Sequence, residues 1–180
     1  MTALKATPEL VPASGTPGHT IGPFFHGALG WAAADTAEHP AHGDILIEGT
    51  VVDGTGAPLP AWMIEAWVPQ SEAAETQADL PAPGLRRRVN DAGGTFCFRV
   101  PQPAPGEPAA FVTLFGLGLT RHFHTAVFLP EGATDAASPL LAAVPDSRRA
   151  TLFAERVGEA HYRWIVRTQG ERETVFLDYR

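Results

Sequence analysis

The amino-acid sequence predicts an all-β domain, an antiparallel β-sandwich with short helical segments and an extended N-terminal arm. Its 180 residues include 18 glycines and 17 prolines, a share well above the usual level, which indicates frequent turns. Seven or eight short stretches rich in β-branched and aromatic residues alternate in polarity, whereas little of the chain has a helical pattern. A hydrophobic content of 44% and a charged content of 18% allow a buried core and exclude a disordered or fibrous chain.

The chain divides into residues 1–42, predicted to be an arm and docking segment, and residues 43–180, predicted to be a single sandwich domain. Residues 1–18 are rich in Pro, Thr, Ala and Gly, which is typical of an extended segment. The next twelve residues contain Phe24, Phe25 and Leu29. These side chains are too apolar for a free tail, so we expect this part to dock on a protein surface.

The remaining elements follow in order from Gly43. A first strand ends at the Asp53-Gly54 turn signal, and a second strand places Trp62 and Ile64 on one face. Residues 69–84 and 101–108 hold several prolines and are predicted to be loops. Residues 138–144 favour a short helix, and residues 147–157 fit either helix or strand. The predicted strands are residues 43–53, 62–68, 94–100, 109–115, 123–129, 161–169 and 174–179.

Composition also restricts the partners and the location of the protein. A net charge of −7 argues against nucleic acid or an anionic membrane surface as partner. The most apolar stretch, residues 109–119, is broken by Gly116 and Gly118 and is too short to span a membrane. No secretory signal is visible, so the sequence predicts a cytoplasmic protein. The single cysteine, Cys97, excludes an internal disulfide and is interpreted as a buried structural thiol.

Three local patterns could carry chemistry. His122 and His124 lie two residues apart, so a strand would place both imidazoles on one face, where a metal could bind them; a chance pair on a polar face is the more common case. The three arginines 86–88 could bind an anion, although in an acidic chain a solvated turn or a partner contact is more common. Glu65 lies in an otherwise apolar strand and is interpreted as an edge or paired carboxylate.

Five longer motifs occur in order along about 160 residues: TPGHTIGPFFHGAL (16–29), ILIEGTVVDGTGAPLPAWMIEAWVPQ (45–70), GTFCFRV (94–100), SRRATLFAER (147–156) and YRWIVRTQGERETVFLDY (162–179). Together they resemble the intradiol ring-cleaving dioxygenases. The resemblance implies a β-sandwich and a non-haem ferric iron held by two tyrosinates and two histidines. It also implies cleavage of a catechol by O2 to a cis,cis-muconate.

The iron ligands that the resemblance implies are missing from this chain. The two ligand histidines of the family fall on Ala110 and Val112, or on Ala109 and Phe111 with a gap of one residue. The two ligand tyrosines fall near Glu75 and on Gly106, and the only tyrosines, Tyr162 and Tyr179, lie in the last twenty residues. His122 and His124 fall one strand later, where the family has no ligands.

This loss resembles the alpha-type subunits of the family, which hold no iron and partner a homologous, iron-carrying beta subunit. In those subunits the N-terminal arm forms part of the substrate cavity, and the matching residues here are Thr20, Gly22 and Pro23, with Phe24 beside them. A family arginine that is oriented toward the substrate is replaced by Leu117. Arg121, four residues further on, is a weaker candidate for the same contact.

The sequence therefore predicts an iron-free subunit of a hetero-oligomeric dioxygenase, built from repeated alpha–beta units, with Fe(III) in the partner and a small catechol at the interface. Two alternatives remain open. One is a non-catalytic β-sandwich that binds or scaffolds other molecules. The other is a divergent metalloenzyme that uses His122 and His124 with a carboxylate.

Overall fold

The predicted sandwich is confirmed in a computed structural model that describes residues 40–116, 118–131 and 138–178. Two four-stranded sheets enclose one main hydrophobic core. The strands are β1 (Ile45–Val52), β2 (Met63–Trp67), β3 (Leu85–Val89), β4 (Thr95–Val100), β5 (Ala110–Phe115), β6 (Phe123–Val127), β7 (Glu155–Arg156) and β8 (His161–Arg167).

The first sheet has the strand order β4-β1-β8-β7 and the second has the order β3-β2-β5-β6. All pairs are antiparallel except β1 and β8, which run parallel with Ile47 opposite Tyr162. The first and last strands are thus neighbours, and the rest of the sandwich forms the long connection that a parallel pair requires. The predicted antiparallel arrangement therefore holds for every pair but this one.

Alternating side chains of β1 and β5 build the core between the sheets. Ile45 and Ile47 of β1 face inward, as do Val112 and Leu114 of β5. Gly49 interrupts the inward series on β1, and the ring of Phe96 occupies the space, since a Cβ at Gly49 would lie 2.1 Å from Cζ of Phe96. A glycine is therefore required where a core aromatic packs onto the strand backbone.

The stretch between β2 and β4 differs from the prediction. In the supposed loop of residues 69–84, a 3-10 helix (Pro69–Ser71) leads into helix α1 (Glu72–Gln77). The three arginines form β3 instead of a solvated turn, and Arg87 lies directly opposite Glu65 of β2. Charged residues usually indicate an exposed turn, and here they form a strand because carboxylates and carbonyls bind them.

The C-terminal part follows the prediction less closely. Helix α2 (Pro139–Ala143) confirms the helical stretch, and the Ser138 Oγ caps it by accepting the Leu141 N–H at 3.4 Å. The ambiguous stretch contains helix α3 (Asp146–Arg149), a 3-10 helix (Ala150–Leu152) and β7. The strand predicted for residues 174–179 is wrong for residues 174–178, which form only separate hydrogen bonds, such as Leu177 N–H to the His124 carbonyl at 2.7 Å.

Three residues of the described chain precede Gly43, the first residue of the predicted sandwich domain. A 3-10 helix (Pro40–His42) precedes Gly43, whose φ of +97° turns the chain into β1. A Cβ at this position would lie 2.2 Å from the backbone nitrogen of Pro101, so only glycine allows the approach. Among the described residues no helix is both long enough and apolar enough to cross a membrane.

Candidate functional site

A buried polar cluster surrounds the carboxylate of Glu75, and we call it the Glu75 cluster; its members are His42, Ser71, Glu75, Gly84 and Arg86. The side chains of Glu75 and Arg86 are each 1% exposed. Glu75 Oε2 accepts hydrogen bonds from Arg86 Nη1 at 3.0 Å and from the Gly84 N–H at 2.7 Å. Glu75 Oε1 accepts from Arg86 Nη2 and from His42 Nδ1, the latter at 3.0 Å.

The guanidinium of Arg86 uses all five of its N–H groups. Beyond its two bonds to Glu75, Nη2 donates to Ser71 Oγ at 3.0 Å and Nη1 to the Leu85 carbonyl at 3.2 Å. Its Nε donates to the Arg99 carbonyl of β4 at 3.3 Å, which links the edges of the two sheets. Because every donor and both carboxylate oxygens have partners, the fold tolerates this pair of buried charges.

The cluster keeps Glu75 ionised. Burial alone would raise the pKa of its carboxyl group, but hydrogen bonds from Arg86, Gly84, His42 and Ser71 outweigh burial and lower the pKa from 4.5 to about 2. Glu75 is therefore a permanent anion at neutral pH whose charge is matched by Arg86.

The other positions at which the resemblance implies iron ligands carry no ligating atom. Gly106 sits in a tight turn with φ +84°, closed by a hydrogen bond from the Glu107 N–H to the Ala104 carbonyl at 3.0 Å. That backbone conformation favours glycine over a side chain as large as tyrosine. Ala110 and Val112 face the core from β5 and are fully buried.

These residues do not fit a ferric iron. Hard Fe(III) needs phenolate, carboxylate or imidazole donors, and Gly106, Ala110 and Val112 offer none. The alternative positions, Ala109 and Phe111, also have no donor atom in their side chains. The one carboxylate at these positions is ion-paired with Arg86. Within the three described ranges, no group of three or more His, Cys, Asp and Glu side chains could hold a metal ion.

His122 and His124 lie at the start of β6, in surroundings of aromatic rings and a hydroxyl group. His124 Nδ1 is hydrogen-bonded to Thr113 Oγ1 at 3.1 Å, and its ring stacks on Phe111 with centroids 6.3 Å apart. His122 lies beside Phe115, with centroids 5.5 Å apart. Burial, and then the charge of His122, lower the pKa of His124, which favours its neutral form. No described residue completes a three-ligand group with this pair.

Arg121 lines a small cleft of about 270 Å³, and His122, His124 and Phe176 also line it. Its side chain is 78% exposed and pairs with Asp178 at 3.4 Å. An exposed pair of this kind is weak, so the guanidinium can exchange its partner carboxylate at little cost. The other predicted pocket residues, Thr20, Gly22, Pro23 and Phe24, lie outside the described residues, as does Leu117.

Two further predictions for single side chains can be compared with the structure. Glu65 is a paired carboxylate, as predicted, because Arg87 Nε donates to it at 2.8 Å. Cys97 is half-buried on the outward face of β4, so the prediction of a buried thiol is wrong. The alternation along β4 buries Phe96 and Phe98 instead.

Sequence reasoning missed His42 and Arg86, which hold the buried anion. A usable signal was the length of the arginine run. Three consecutive residues of a strand cannot share one face, so Arg87 must point away from Arg86 and Arg88. A buried member of that run requires a buried acid, and Glu75 lies only eleven residues away.

No protein-family model matches the chain. A protocatechuate 3,4-dioxygenase alpha chain of Pseudomonas putida is 31% identical over 204 aligned positions, which cover 95% of this chain and 98% of that one. One from Burkholderia cepacia is 32% identical over 207 positions, covering 99% and 100%. Among solved structures, the 3-chlorocatechol 1,2-dioxygenase of Rhodococcus opacus 1CP matches 69% of this chain and 59% of its own, with a TM-score of 0.48 and 21% identity.

Proposed function

The chain belongs to the family of protocatechuate 3,4-dioxygenase alpha chains, subunits of an intradiol ring-cleaving dioxygenase, and we propose that it is the iron-free subunit of such an enzyme. A homologous beta subunit carries the Fe(III) at which O2 cleaves the catechol. This chain assembles with that subunit and forms one wall of the substrate pocket. Repeated alpha–beta units form the complete cytoplasmic enzyme.

The observation that carries the proposal is the state of the four ligand positions. Glu75 is neutralised inside its cluster by Arg86, and Gly106, Ala110 and Val112 have no ligating atoms. A chain of this family without iron ligands needs a second chain for the chemistry. The same substitutions favour the sandwich itself, because apolar residues on β5 pack in the core where histidines would have to be hydrogen-bonded.

The pocket wall is assigned to the N-terminal arm. Thr20, Gly22 and Pro23 combine little side-chain bulk with a restricted backbone, which suits a close approach to a small aromatic ligand. Phe24 adds an aromatic face beside them. Arg121 is the described residue that we assign to the same pocket, as a rim contact for an acidic substituent on the ring.

Metal content and activity test this function together. The chain purified alone should hold no stoichiometric iron and show no absorption band from phenolate bound to iron. Co-expressed with an iron-carrying homologue that has two tyrosines and two histidines at the ligand positions, it should form a stable mixed oligomer. That oligomer should cleave a catechol faster than the partner alone does, with the partner alone as the control.

Two results would contradict the proposal. A red-brown, iron-loaded isolated chain would show that this chain has its own metal centre, and loss of the iron in His122→Ala would assign it to the histidine pair. A soluble monomer that never associates with the iron-carrying homologue would support the non-catalytic scaffold instead.

A further inference from the structure

The outward side of β2 and β5 presents an aromatic surface, which we call the Trp67 face; it consists of Glu65, Trp67, Phe111, Thr113 and Phe115. The Trp67 side chain is 41% exposed. Of the large apolar residues in the described ranges, only Val157 and Ile165 are similarly exposed. A tryptophan surrounded by half-buried phenylalanines is typical of a surface that a protein segment covers.

The described chain begins next to this face. His42 is bound by the carboxylate of Glu75, and the same carboxylate accepts the Gly84 N–H. Gly84 lies directly under the ring of Trp67, since a Cβ at Gly84 would be 3.1 Å from Trp67 Cζ3. The other two exposed apolar side chains lie on the first sheet: Ile165 belongs to β8, and Val157 follows β7. The contacts of His42, Glu75 and Gly84 therefore link the point at which residues 1–39 join the sandwich to Trp67.

Neither the Trp67 face nor the segment that leads to this point carries a net charge. Glu65 is neutralised by Arg87, so the Trp67 face has no net charge of its own. Residues 19–31 contain no Asp, Glu, Lys or Arg, although the whole chain has a net charge of −7. They include Phe25, Leu29 and Trp31, which need an apolar partner. The nine peptide steps from Trp31 to Pro40 can span up to about 30 Å, which is ample for a return to Trp67.

We propose that residues 25–31 of this chain dock on its own Trp67 face, with Phe25, Leu29 and Trp31 packed against the Trp67 ring. The anchored His42 fixes the end of the segment, and the docked residues fix its course along β2. Residues 20–23 then extend beyond the sandwich toward a neighbouring subunit; this last step alone rests on the function proposed above.

Amide hydrogen exchange of the full-length chain, without any partner, tests the docking. Trp67→Ala should speed exchange across residues 25–31 by about tenfold or more, because it removes the ring that the segment packs on. Ile165→Ala is the matched control, since it truncates a side chain that is 53% exposed on the other sheet, and it should leave exchange in this segment unchanged. Slow exchange of β1 in both variants shows that the sandwich is folded.

A second variant approaches the same contact from the segment. Phe25→Ser combined with Leu29→Ser should raise the rate of hydroxyl-radical oxidation of Trp67 severalfold in the otherwise unchanged chain. Unaltered exchange in Trp67→Ala, or a Trp67 that becomes protected only when the iron-carrying partner is added, would overturn the proposal and assign the face to the partner. The variants are compared without the partner, which is added to the parent chain only as a separate step. Failure of the proposed enzyme function would therefore appear separately, in iron content and activity.

Discussion

Replacing Glu75 with glutamine is the most direct test of the buried cluster. The amide keeps the shape of the side chain and removes the negative charge that balances Arg86. The guanidinium of Arg86 stays buried, with its contacts to Ser71, Leu85 and Arg99 but without a counter-charge. We expect the variant to fold and to be markedly less stable than the parent chain.

The loss of unfolding free energy in Glu75→Gln follows from two independent magnitudes. Removing one partner of a buried ion pair costs about 3–5 kcal/mol. The pKa of Glu75 falls from 4.5 to about 2, and each tenfold change in the acid constant is worth about 1.4 kcal/mol, so ionisation contributes about 3 kcal/mol at neutral pH. In a chain of this size, a loss of about 3 kcal/mol lowers the Tm by about 6–12 °C.

The stabilisation that ionised Glu75 contributes depends on pH. Because the folded-state pKa lies below the unfolded value, the stabilisation is complete above about pH 5 and disappears as the pH falls toward 2. The Glu75→Gln variant has no carboxyl group at this position, so it has no such stabilisation to lose at low pH. The difference in unfolding free energy between parent and variant should therefore be about 3–5 kcal/mol at pH 7 and smaller by about 2 kcal/mol at pH 3.

Urea unfolding followed by tryptophan fluorescence at the two pH values measures both quantities. Glu72→Gln is the matched control, because Glu72 belongs to the same helix and is exposed. It should change stability by no more than about 0.5 kcal/mol at either pH. A Glu75→Gln variant as stable as Glu72→Gln, or a difference that does not change between pH 7 and pH 3, would refute the electrostatic account of the cluster.

Three further predictions concern other parts of the sandwich. Gly49→Ala should lower the unfolding free energy by about 1–3 kcal/mol in thermal denaturation, because the new Cβ would clash with the ring of Phe96. His124→Ala should cost about 1 kcal/mol through loss of its bond to Thr113, and should leave the iron content of the assembled enzyme unchanged in elemental analysis. Arg121→Ala should raise the KM of the assembled enzyme for a carboxylated catechol by roughly two- to tenfold, and leave the KM for unsubstituted catechol unaltered.

Each of these predictions has a result that would contradict it. Gly93→Ala, in an exposed turn, is the control for Gly49→Ala, and equal stability of the two variants would contradict the packing argument. Loss of iron from the His124→Ala enzyme would show that the histidine pair binds metal. An equal rise in KM for both catechols would remove Arg121 from substrate recognition.

Much of the fold follows from local patterns that one sequence contains. The alternation around β2 predicts that Trp62 and Ile64 share one face, and both lie in the core, because burial selects every second residue of a strand. Elements with mixed signals were harder to predict. The arginines of β3 look like an exposed turn until Glu65, Glu75 and the carbonyls of β4 are placed beside them.

By itself, the sequence determined the sandwich class, most of its strands and the absence of iron ligands at the positions that the family resemblance implies, because each depends on residue types at known places along the chain. Only the tertiary structure decided that β1 lies parallel to β8, and that Glu75 is held between Arg86 and His42. Strand partners and buried ion pairs depend on contacts between residues far apart in the chain. Several arrangements have the same local pattern, and only packing and the desolvation of charge select one of them.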